Sequence, residues 1–268
     1  MKHKNKFFLL FAVLSCLLVL SACGKKENSS STSTLPSAKS LIGDKSSFSK
    51  SIQNGHFEQN LESKKLQQAI SLTGNYNFDQ ITYASYKITN KSKTQTEQLW
   101  LTDKKLYMLL QGNHGKWIVT SSDANNFDSS QVTRRFDPDT FSELNDLMKE
   151  QAKVKENNSS YTVTYSGTSS EIWKAMNILV VDSMNSPGGQ NMNIVRAINV
   201  AQLNNLKIQY VYNKSDKKLV SMNFSAKFTA LNNANFTWNL NYDDFGQYKN
   251  LVVPQKISKN AVEVSKNK

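Results

Sequence analysis

Two cysteines, three histidines, four prolines and ten glycines are all that these 268 residues hold of the side chains that staple, catalyse or break elements. Cys16 lies inside an N-terminal apolar run and Cys23 ends it. The rest of the chain therefore has no disulfide, no Cys-x-x-Cys redox pair and no thiolate metal cluster, and its stability must come from its core. Beyond His3, the histidines are His56 and His114, with no His-x-x-x-His or His-Glu pair to supply metal-ligand spacing. No Gly-x-Ser-x-Gly elbow or phosphate-cradling glycine loop is present, and no Ser-x-x-Lys string fits a nucleophile motif. The acidic pairs Asp137/Asp139 and Asp243/Asp244 read as a helix cap and a turn rather than a carboxylate dyad or calcium site. Pro187-Gly188-Gly189-Gln190 reads as a loop, with a lid as the alternative. The expectation is a protein that is not an enzyme and that uses no cofactor and no metal.

Arginine is equally scarce: Arg134, Arg135 and Arg196 are the full set. The formal charge is +12, from 33 basic and 21 acidic residues, yet the lysines scatter through turns and tails. No Lys/Arg stripe and no nucleic-acid motif accompanies them, so nucleic acid is not an expected partner. The charge suits an anionic envelope polymer or headgroup surface, or simply a soluble exterior.

What is present begins at the N-terminus. Lys2, Lys4 and Lys6 precede an apolar run from Phe7 to Leu20, then small Ser21 and Ala22, then Cys23. The run has signal-peptide length and is short for a membrane span. Leu20-Ser21-Ala22-Cys23 resembles the lipobox of bacterial lipoproteins. That resemblance implies cleavage between Ala22 and Cys23, a lipid on Cys23, and a chain anchored at the outer face of the cytoplasmic membrane. An ordinary signal peptide that leaves a free thiol at Cys23 is the competing reading. Removing Lys2, Lys4 and Lys6 takes the formal charge from +12 to +9. Two acyl chains, at ~0.8 kcal/mol per buried methylene, hold a protein durably where one does not.

Residues 23–51 are Ser/Thr/Lys-rich and read as a flexible tether behind the signal peptide of residues 1–22. The domain is expected over 52–259, with a polar, frayed tail at 260–268. Leu61, Lys65, Leu66, Ala69, Ile70 and Leu72 make an imperfect three-to-four pattern that predicts a helix over 59–72. A four-strand meander follows: 81–90, 94–102, 105–111 and 116–121, the last two joined by Gly112-Asn113-His114-Gly115. Asp137-Pro138 opens a helix whose apolar face is Phe141, Leu144, Leu147 and Met148. A strand at 160–166 and a helix at 170–184 come next. Strands at 205–212, 219–230 and 235–243 close the chain. In the second of these, Val220, Met222, Phe224, Ala226 and Phe228 share a face; in the third, Phe236, Trp238, Leu240 and Tyr242 do. Such alternation marks an antiparallel sheet with one apolar and one wet face.

The predicted architecture is α+β: a curved antiparallel sheet of seven or eight strands, a half-barrel, with helices packed on its concave apolar face. The order of lipobox, Ser-rich tether, helix, meander with turns reading TDKKLYMLL and GNHGKWIV, middle helices and closing strands ending NYDDFGQYKNLVVPQKI is familiar. It resembles the LolA/LppX-like superfamily of lipid-handling envelope proteins, and uncharacterised Gram-positive lipoproteins of that predicted fold, over residues 59–257. The resemblance implies a cavity for acyl chains or glycolipids and a protein that binds or carries a hydrophobic envelope molecule. Positions on the apolar face are the candidate ligand contacts: Leu99, Leu101, Met108, Phe224, Phe228, Phe236 and Trp238. Plain core packing is the competing role for each. The alternative function is a non-catalytic interaction lipoprotein with a filled core, binding cell-wall polymer or a protein partner.

Overall fold

In the first four strands every second side chain points to one side, and tight turns fold each strand back on the one before. The computed structural model describes residues 35–43, 45–78, 80–122, 129–182, 185–186, 189–190 and 198–264. The lipobox-like Leu20-Ser21-Ala22-Cys23 lies outside the described residues, as do Pro187, Gly188 and Arg196. Residues 35–268 make up one compact unit. Strands β1 (Asn54–Ser63), β2 (Gln68–Asn77), β3 (Ile81–Asn90), β4 (Lys93–Thr102), β5 (Lys105–Leu109) and β6 (Ile118–Ser121) form an antiparallel meander. The later strands are β7 (Lys153–Glu156), β8 (Ser160–Gly167), β11 (Gln202–Asn213), β12 (Leu219–Ala230) and β13 (Ala234–Asp243). A two-residue hairpin, β9 (Asn185–Ser186) with β10 (Gly189–Gln190), stands apart.

Strand β1 stitches the two halves together. It pairs with β2 on one side and with β13 on the other, Leu61 facing both Ile70 and Trp238. With the final strand β14 (Val262–Glu263) the result is one curved, open sheet in the order β14-β6-β5-β4-β3-β2-β1-β13-β12-β11-β8-β7. Twelve strands exceed the seven or eight expected, the additions being β1, β2, β7 and β14. At one edge β7 is short and reads Lys-Val-Lys-Glu, a charged end that discourages pairing with another chain.

Helices lie on the concave face. They are α1 (Ala38–Ile42), α2 (Lys45–Ser51), α3 (Ser130–Thr133), α4 (Pro138–Met148) and α5 (Ser170–Asp182). Asp137 caps α4 as its sequence predicts, accepting a hydrogen bond from the Asp139 amide at 2.8 Å. Phe141 of α4 packs between Phe48 of α2 and Phe224 of β12, with ring centroids 6.0 Å from each. Trp173 of α5 meets Phe228 at 5.3 Å.

Four expectations are corrected. The helix over 59–72 is the β1–β2 hairpin: Phe57, Gln59, Leu61 and Ser63 are buried alternately, and the chain turns at 64–67 with Gln67 in the left-handed region. The apparent helical spacing came from adding residues on both sides of that turn. The tether expected at 23–51 already carries α1 and α2, whose Ala38, Leu41, Ile42 and Phe48 are buried in the core. The tail expected at 260–268 begins structured: Val262 and Glu263 pair in parallel with Ile118 and Val119. Finally, Val220 is exposed. A register shift between Val211 and Tyr212 pairs Tyr212 with Leu219, so Leu219 and Met222 turn inward and Val220 is left on the bulge.

The outer face is wet across its middle and covered at one end. There Ile81, Trp100, Tyr107 and Val119 are buried under Leu251, Val253, Ile257 and Ala261, which flank and include helix α6 (Gln255–Asn260).

Candidate functional site

The concave layer is almost entirely aromatic and aliphatic. Tyr76 stacks on Phe136 at 4.0 Å with ring planes 9° apart, and Phe57 lies against Phe136 at 4.9 Å. Gly74 permits this arrangement. A Cβ there would sit 2.0 Å from the Tyr83 carbonyl oxygen and 2.8 Å from the Phe57 ring, so the ring lies directly over glycine backbone.

All seven candidate contacts lie on this layer, in two groups. Phe224 and Trp238 are neighbours at 6.4 Å, and Phe228 stacks on Phe236 at 5.3 Å with planes 6° apart, on β12 and β13. Leu99, Leu101 and Met108 sit on β4 and β5, where Leu99 faces Met108. Strands β3, β2 and β1 separate the groups. Met108 is half-buried and the other six are buried.

Between the groups is a polar island. Arg134 binds Asp182 through two hydrogen bonds, at 2.7 and 3.1 Å, and Asp182 is fully buried. Arg135, also buried, donates to the Asp182 carbonyl at 2.7 Å and approaches Gln59 Oε1 at 3.5 Å. Tyr242 donates to the Arg135 carbonyl at 2.8 Å, and the Arg135 guanidinium stands 5.9 Å from the Phe57 ring centroid. Gln59 donates to the Leu179 carbonyl at 3.2 Å. Buried Glu97 accepts from Gln95 at 3.2 Å. This island pins the end of α5 to β1 and to the segment before α4.

Sequence reasoning missed the island, though traces of it were present. Two of the three arginines are adjacent, and Asp182 falls three residues after Leu179 on the apolar stripe of α5. Gln59 and Glu97 likewise occupy inward positions of alternating strands.

Burial keeps the inner tyrosines neutral. The hydroxyls of Tyr76, Tyr210 and Tyr242 are pushed well above the usual tyrosine range by loss of solvent. Tyr86 is raised for the same reason, and nearby Arg135 partly opposes the rise. Tyr210 donates to Asn145 at 2.9 Å. The Tyr86 and Tyr212 hydroxyls and the Trp238 indole N–H are buried with no partner among the described residues. Leaving such a group unpaired costs about 1–3 kcal/mol, and native interiors pair nearly all of them. Among the described residues no three of His, Cys, Asp and Glu come together as a metal site.

Residues 42–262, most of the chain, match the profile of a family of unknown function, DUF6612. The chain belongs to the DUF6612 family. No curated protein is detectably similar in sequence to this DUF6612 member. Among solved structures it is similar to the LolA superfamily protein NE2245 from Nitrosomonas europaea. The two are 8% identical, with 83% of this chain and 97% of the other covered and a TM-score of 0.26. It is also similar to Rv2717c from M. tuberculosis at 7% identity, covering 78% and 99%, with a TM-score of 0.19. The half-barrel rests on the strand order and on the packing of the helices against the sheet.

Proposed function

We propose that this DUF6612 protein is a lipid-anchored extracytoplasmic protein, held at the outer face of the cytoplasmic membrane by Cys23, that holds an apolar envelope molecule. Its ligand lies between the concave sheet face and the covering helices. The observation that carries this reading is the set of buried, unpartnered donors on the inner face: Tyr86, Tyr212 and Trp238. Their surroundings suit acyl chains, and their hydrogen-bonding atoms suit the ester or carbonyl oxygens of a lipid. Leu20-Ser21-Ala22-Cys23 supports the anchor. The reading involves no catalysis.

A second reading, an interaction protein with a filled core, is favoured by the dense ring packing and by one depression beside the helices. That depression, between α2 and α4, measures only about 30 Å³.

Titration of a protein spanning residues 35–268 with a fluorescent fatty acid separates the two. A saturable one-to-one uptake, weakened several-fold by Tyr86→Phe and Tyr212→Phe, is the expected result. With a filled core nothing is taken up, and each substitution stabilises the fold by ~1 kcal/mol by deleting an unmet hydroxyl. For the anchor, cells fed a labelled fatty acid should incorporate it into the wild-type protein and not into Cys23→Ala. Equal labelling of that variant, or no labelling of the wild type, contradicts lipid attachment there.

A further inference from the structure

The wet face of the sheet differs in chemistry from the mostly aromatic and aliphatic layer inside. On the outer face of β1, β13, β12 and β11 lies a depression of about 410 Å³. Two rows of side chains cross it in register. One runs Glu58, Asn241, Asn223, Gln209, and the next Asn60, Asn239, Ser225, Lys207. Six of these eight are amides or hydroxyls. Apart from Asn241, which donates to Asp243 at 2.8 Å, none of those six makes a side-chain hydrogen bond among the described residues.

We propose that this depression binds a neutral, hydroxyl-rich polysaccharide. Three properties select that occupant. The charge is balanced, Glu58 against Lys207, within a chain of formal charge +12. A polyanion or an anionic membrane surface would draw on clustered cations instead, and a protein partner on an apolar centre. Each amide both donates and accepts, as each sugar hydroxyl does, so the two surfaces match whichever way a hydroxyl points. Lastly, asparagine is disfavoured in strands, yet Asn60, Asn223, Asn239 and Asn241 fill mid-strand positions of four-strand register where Thr would pair better. Departure from local preference at adjoining positions marks a functional surface. Solvent-exposed hydrogen bonds are individually weak, so useful affinity needs repetition. Rows of amides on strands ~4.8 Å apart supply it to a polymer rather than to a single sugar. The site is independent of the apolar-ligand reading, since alternate residues of the same strands face opposite ways.

Affinity electrophoresis of the 35–268 protein tests it, in native gels cast with hydroxyethyl cellulose, dextran or laminarin as neutral probes and polygalacturonate as an anionic one. The expected result is retardation by at least one neutral polymer, insensitive to 0.5 M salt as an order of magnitude well beyond surface screening. The double substitution Asn223→Thr with Asn239→Thr lowers the association constant at least tenfold without lowering Tm. The inner-face substitution Tyr212→Phe leaves retardation unchanged. No retardation by any neutral probe overturns the proposal. So does binding confined to polygalacturonate and abolished by salt, or binding that survives the double substitution.

Discussion

The inner and outer faces of the central strands are built from neighbouring residues and differ in chemistry. Along β13, Phe236, Trp238, Leu240 and Tyr242 are buried against helices, while Asn235, Thr237, Asn239 and Asn241 face out. The inner face is aromatic, and its polar atoms are few, buried and costly. The outer face is amide-rich, open and cheap to alter. The difference shows that one period-two pattern is enough to give a single sheet two independent surfaces, so a change on either face should leave the other's behaviour intact.

The largest effect comes from cutting the inner face alone. Trp238→Ala should cost about 3–5 kcal/mol in urea or guanidinium unfolding, and its neighbour Asn239→Ala within about 0.5 kcal/mol. Similar losses at both positions would break the comparison. Next is Gly74→Ala, which adds a methyl where the Phe57 ring and Tyr83 carbonyl already meet. Overpacking of that kind costs about 1–3 kcal/mol, read as a lower denaturation midpoint with an unchanged slope. A smaller, pH-dependent effect follows from the buried tyrosines. Their folded-state pKa values are raised, so the folded protein keeps protons that the unfolded chain loses above about pH 10. Stability is therefore complete below pH 10 and falls progressively above it. Tyr210→Phe should flatten that alkaline decline, while substitutions on the outer face should not touch it.

The same contrast explains how much was legible beforehand. Strands β12 and β13 declared themselves because one side is apolar and the other wet. The α4 cap was readable from Asp137-Pro138 because its partners are two residues away. Helices α1 and α2 were hidden, since their Ser/Lys-rich segment gains its stability from Phe48 meeting Phe141 and Tyr210, contacts far off in sequence. Hairpin β1–β2 was misread for a related reason: Gln59 and Ser63 occupy inward positions and spoil the alternation. Gln59 is inward because Arg135 and the Leu179 carbonyl meet it there. The covering of Trp100 by Leu251 and Val253 likewise needed the three-dimensional return of the chain. For the candidate site, the apolar positions were readable one by one, while the Arg134–Asp182–Arg135 island depended on groups 47 and 48 residues apart.

The central claim, that the inner face holds an apolar molecule, is met most directly by native mass spectrometry of residues 35–268 purified from a bacterial host, followed by organic extraction. A near-stoichiometric adduct that extracts as lipid is the predicted result. A bare chain mass that stays bare after incubation with fatty acids and phospholipids would contradict it, leaving the outer face as the molecule's working surface.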